Sequence, residues 1–291
     1  MRRLGASLIV LGAGVAVAAL LGPLGTGTIA YHVVDDVLNQ ATGGDAVGLL
    51  LVAPACVVIG ILALRRHAAA PVMSPAPAGY AVYTYTQLAL GGDFAAQPGN
   101  SERFFPLFLA LFVLGGWIVI QGWVLTSHTT LPEPSRAMRR GAGITMLVLA
   151  AFLVMGLHLP GLADVVGGTP YDVEYTQSPA VFLIVKLMDL GIVVPLAVAA
   201  GVGLLLNAGW AQRFMYVVLG WGSLLGSAVA GMAVVMLIND DPTASVGLLT
   251  GFTVFALGFW ALVAWTFRPL FHRGATGAPV EGTGALIGSS R

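Results

Sequence analysis

The chain alternates long apolar runs with short polar breaks rich in glycine, proline or arginine. A hydrocarbon core of roughly 30 Å is crossed by about 20 apolar residues in a helix. Seven segments reach that length: Leu4–Leu24, Ala46–Leu64, Phe104–Leu125, Gly141–Leu159, Pro179–Leu206, Phe214–Ile238 and Ala244–Phe267. An eighth, Pro71–Gly91, carries three tyrosines, two threonines and a glutamine, and hydropathy alone leaves it open.

The arginines decide it. If Pro71–Gly91 crosses and the Met-Arg-Arg start is cytoplasmic, Arg2, Arg3, Arg65, Arg66, Arg136, Arg139, Arg140, Arg213, Arg268, Arg273 and Arg291 all fall inside, and only Arg103 falls outside. Without that crossing the later loops change sides, and the arginines divide five inside and seven outside. Basic residues concentrate in cytoplasmic loops. The sequence therefore predicts an all-α membrane bundle of eight transmembrane helices with both termini cytoplasmic. Residues 1–273 form one transmembrane domain, and the Gly/Ala/Ser/Thr-rich segment 274–291 is expected to be a disordered cytoplasmic tail. The first apolar run, about twenty residues, exceeds the 7–15 of a secretory h-region, which favours a retained helix over a cleaved signal.

Composition fixes the class. Apolar residues make up 57%, charged residues only 9%, and the mean hydropathy is +0.90; a soluble domain carries about a quarter charged residues. Thirteen basic and thirteen acidic residues leave no net charge, which removes the basic field that nucleic-acid binding needs. The single cysteine, Cys56, allows neither an intrachain disulfide nor a thiolate metal site. Among the basic residues only Lys186 is a lysine, and Ala, Gly, Val and Leu dominate, a bias that points to a GC-rich bacterial genome and so to the bacterial cytoplasmic (inner) membrane.

In lipid, helices associate through close packing of small residues. Gly222, Gly226 and Ala230 recur on one face of the seventh predicted helix, and Gly247 and Gly251 open the eighth. These faces serve packing within the bundle or a partner helix. Pro195, deep in the sixth predicted helix, should kink it or free a carbonyl. Ile29–Leu38 is expected to form a short helix at the outer surface. Asp35, Asp36, Asp45 and Asp93 join an acidic outer face.

Candidate chemistry is sparse. Lys186 and Asp189 are one turn apart, roughly 11 and 15 Å below the start of the sixth predicted helix. Charges at that depth cost at least ~2.5–3.5 kcal/mol each unless paired or wet, so the two are expected inside the bundle as a switchable or purely structural ion pair. Tyr80, Tyr83, Thr84 and Gln87 fall on one face of the third predicted helix at matching depth. Together these six residues form the candidate solute or ion pocket, with Asp172, Glu174 and His158 at its outer mouth. No phosphate-binding loop, nucleophile elbow or paired-histidine pattern is present, so no catalytic residue, metal or cofactor is assigned.

The leading expectation is binding or translocation of a small solute or ion between the third and sixth predicted helices. The alternatives are a membrane enzyme acting at the outer face on a lipid-like substrate, using His158, Asp164, Asp172 or Glu174, and an accessory subunit of a membrane complex that docks through Gly222, Gly226, Gly247 and Gly251.

Overall fold

The computed structural model describes residues 1–168 and 173–271, and its regular elements are all helices, with no strand among the described residues. Among the described residues seven helices are long and apolar enough to cross a membrane: α1 (Arg2–Leu21), α2 (Asp35–Leu64), α4 (Ser101–Ser127), α5 (Arg136–Val166), α7 (Pro179–Leu205), α8 (Gly209–Ile238) and α9 (Val246–Phe271). Between α2 and α4 lies α3, residues 69–90, built from Ala69–Met73 and Pro75–Leu90 with Ser74 in helical conformation between them. A short α6 (Val173–Gln177) precedes α7. The expected tail at 274–291 and the mouth residue Asp172 lie outside the described residues, as does the Glu174 side chain.

The polar character of α3 has a packing cause. The helix is enclosed by α4 and α8, and Pro75, Ala76, Ala78, Tyr80, Ala81 and Tyr85 are buried. A helix shielded from lipid need not be apolar, provided its polar groups find partners inside.

The second helix departs from expectation. It begins at Asp35, well before the predicted Ala46, and the preceding residues 29–34 are not helical. Gln40, Thr42, Gly43, Gly44 and Asp45 dilute the hydropathy of this stretch, yet it continues the helix. Asp45 is thus a helical residue in the bundle, only 8% exposed, rather than part of a solvated outer face.

Among the described residues three helices are widened into π turns, at Gly48–Val52, Phe152–His158 and Asp189–Val193. Each ends two residues before a proline: Pro54, Pro160 and Pro195. Proline has no N–H and its ring collides with the carbonyl four residues earlier, so the preceding turn opens. The expectation for Pro195 is met in this form, and the same device operates at the other two positions.

Backbones approach closely where glycines face each other. A Cβ on Gly5 would lie 2.7 Å from the Gly60 carbonyl between α1 and α2, and one on Gly201 would lie 2.9 Å from the Gly143 carbonyl between α5 and α7. Gly222 and Gly226 receive Phe259 and Phe255 of α9, so both are used within the chain. Gly247 and Gly251 behave differently. A Cβ on Gly251 would meet nothing within 4 Å, and one on Gly247 only its own cap, Ser245.

Candidate functional site

A cavity of about 1300 Å³ lies among α2, α3, α5, α7, α8 and α9. All six expected pocket residues line it: Lys186, Asp189, Tyr80, Tyr83, Thr84 and Gln87. His158 lines it too. The structure places residues of α3, α5 and α7 along the wall of this one cavity.

The connections within the site differ from the expected ion pair. The Tyr83 hydroxyl donates to Asp189 Oδ1 at 2.6 Å, and His158 Nε2 lies 2.7 Å from Asp189 Oδ2. Lys186 turns the other way: its Nζ lies 3.3 Å from the centre of the Phe182 ring, one turn toward the helix start. The cause is geometric. Helical side chains lean toward the N-terminus, so a lysine placed before an acid leans away from it, the less favourable order for pairing. Lys186 is buried nonetheless, at 7% exposure.

The π turns help create the contact between α5 and α7. His158 is the last residue of one π turn and Asp189 the first of another, and the two turns pack against each other. Such turns place side chains off the regular helical register and recur at functional sites. With Nε2 hydrogen-bonded to the carboxylate, His158 keeps Nδ1 without a partner among the described residues, although the residue is only 3% exposed.

A second carboxylate lines the same cavity. Asp45 accepts a hydrogen bond from the Tyr31 hydroxyl at 3.2 Å, and the Tyr80 hydroxyl donates to the neighbouring Gly44 carbonyl at 3.2 Å. Gly22 allows this approach, since a Cβ there would lie 2.6 Å from Asp45 Oδ2. Burial raises the Tyr31 pKa well above its ordinary value, with the Asp45 charge adding to the effect, so the phenol stays a donor. Trp221 stacks edge-on against Tyr83, ring centres 6.0 Å apart, and its buried indole N–H has no partner.

The segment before α2 and the one between α3 and α4 close over one side of the cavity, through Tyr31, His32 and Gly92, with Ser101 at the start of α4. His32 Nδ1 lies 2.8 Å from the Gln97 carbonyl, and Nε2 lies 2.7 Å from Glu102. Asn100, the residue before the first turn of α4, accepts from the Ala30 N–H and donates to the Thr28 carbonyl. Since both His32 nitrogens face acceptors, the doubly protonated ring satisfies them. The Gln97 carbonyl, and then Glu102, raise the His32 pKa. Its stabilisation is complete below the ordinary histidine value and is lost as pH rises through the raised one. The Tm advantage of the wild type over His32→Ala in detergent should therefore shrink as pH rises from below the ordinary histidine value through the raised one. A difference that grows with pH would contradict this.

Sequence reasoning passed over Asp45, Tyr31 and Trp221. Asp45 was placed in the outer loop because its glycine-rich surroundings resemble one. The prolines after the π turns were the available signal for the altered register at His158 and Asp189.

No family model, curated protein or solved structure matches this chain. The helices define its class: an integral, multi-pass helical membrane protein in contact with the lipid bilayer.

Proposed function

We propose that the protein binds a small solute in this intramembrane cavity and couples its binding or movement to proton exchange at the linked groups Tyr83, Asp189 and His158. One observation carries the reading: a carboxylate inside a helical bundle is held by a phenol and an imidazole from two other helices, at the wall of a cavity of about 1300 Å³. Intramembrane ionisable groups mark substrate or proton paths.

The same reading takes α3 as an eighth span, both termini as cytoplasmic, and the bacterial inner membrane as the location. A reporter fused after Arg66 should be cytoplasmic and one fused after Gly92 external; finding both on one side would remove the eighth crossing.

The test of binding is a thermal-shift screen of small solutes on the purified protein at two pH values. A ligand at 100 times its Kd should stabilise the wild type by ~2.7 kcal/mol. The shift should vanish in Asp189→Asn and His158→Gln. If no solute stabilises the wild type, or if both variants respond equally, the site is structural.

The enzymatic alternative draws on the same dyad. An imidazole oriented by a carboxylate with its other nitrogen unengaged is a general-base arrangement. It predicts turnover of an added lipid-like substrate that is lost in His158→Gln, where the binding reading predicts retention of substrate unchanged.

A further inference from the structure

The polar cluster occupies one end of the cavity. From His158 the cavity follows α5 to Thr145, about 20 Å at 1.5 Å per residue, and it follows α9 from Gly247 to Trp265, about 27 Å. Beyond the cluster its walls are mainly apolar. Helix α9 packs chiefly along α8, and its Trp265 rests against Gly141 of α5. Exposed residues such as Val254 and Val148 belong to the same cavity, so it opens sideways to the lipid.

Along α9 this slot is lined by Gly247, Gly251 and Gly258, which share one helical face. A Cβ at Gly251 or Gly258 would meet nothing within 4 Å. These glycines do not bring helices together; they leave a smooth channel. At the polar end two buried groups lack partners among the described residues, His158 Nδ1 and the Trp221 indole N–H, and both residues line the cavity. The His158 tautomer that gives Nε2–H to Asp189 offers an acceptor at Nδ1, while Trp221 offers only a donor.

We infer that the cavity takes a single-chain amphiphile whose head both donates and accepts hydrogen bonds, a long-chain carboxylic acid or alcohol. The head sits between His158 and Trp221 and the chain runs along the glycine-lined face of α9. This rests on the binding site proposed above and adds the class of its occupant. The ligand enters from the bilayer between α9 and α5, so its chain never leaves an apolar surrounding, and its head exchanges lipid for the two unpaired groups.

The test uses the full-length protein in phosphatidylcholine nanodiscs with two probes, hexadecanoic acid and 1-hexadecanol, each carrying a diazirine at the chain end. After irradiation, adducts should map to cavity residues such as Leu262 and Trp265 and should saturate. Excess unlabelled parent should suppress them, and the probe that saturates identifies the head. Butanoic acid and 1-butanol, compared at equal concentration in the membrane, should compete at least tenfold less well. Gly251→Leu/Gly258→Leu should reduce saturable labelling at least tenfold, and the wild-type competition stands by itself if that variant does not fold.

Adducts that never saturate and fall only on outward residues such as Leu50, Val113 and Leu187 would overturn the inference. Equal competition by the four-carbon compounds would overturn the chain site while leaving the polar binding site intact. Unchanged labelling in His158→Gln would overturn the head assignment and the polar site with it.

Discussion

Replacing Asp189 with leucine should cost ~2–5 kcal/mol of stability, the largest loss expected from any single change in the polar cluster. The carboxylate accepts from Tyr83 and faces His158 Nε2, so its removal orphans two polar groups at once. Their surroundings offer little water with which to replace it. Asp189→Asn keeps one acceptor and should cost ~1–2 kcal/mol, and Tyr83→Phe about 1 kcal/mol. The combined variant Tyr83→Phe/His158→Leu/Asp189→Leu leaves no group orphaned. It should return to within about 1 kcal/mol of wild type while losing proton-dependent binding. Denaturant unfolding in micelles ranks these variants. A neutral Asp189→Leu would show that the three groups are not linked in the membrane.

The second large effect concerns Gly43, where α2 crosses α8. A Cβ there would lie 2.5 Å from both N and Cα of Met232, and backbone atoms cannot swing aside as a side chain can. Gly43→Ala should therefore force the helices apart and cost ~1–3 kcal/mol or more, despite the better helix propensity of alanine. It should also disturb Asp45, two residues along the same helix. Gly116 in α4 is the matched control, since a Cβ there meets nothing within 4 Å. Gly116→Ala should be neutral or slightly stabilising by the propensity gain of up to about 1 kcal/mol. Equal melting shifts for the two substitutions would show that the α2–α8 approach is looser than described.

Much of the site was legible because lipid imposes a simple rule. Tyr80, Tyr83, Thr84 and Gln87 could not face hydrocarbon without partners, nor could Lys186 and Asp189, so all six belonged inside at matching depths. That rule gives depth and face but not the partner. It suggested that Asp189 pairs with the nearest charge in sequence, Lys186, while the structure joins it to Tyr83 and to His158, thirty-one residues earlier. Hydropathy likewise placed Asp45 among solvated outer acids, because windows of apolar content cannot distinguish a loop from a helix whose polar face is buried by neighbours.

Period, length and charge thus determined the class of the protein and its apolar helices, because each depends only on a segment and the solvent around it. The tertiary structure decided which carboxylates are buried, which imidazole meets Asp189, and which glycines pack helices and which line a cavity. Those outcomes depend on the crossing of helices distant in sequence and on the small register shifts that Pro54, Pro160 and Pro195 introduce. No local property of the chain encodes them.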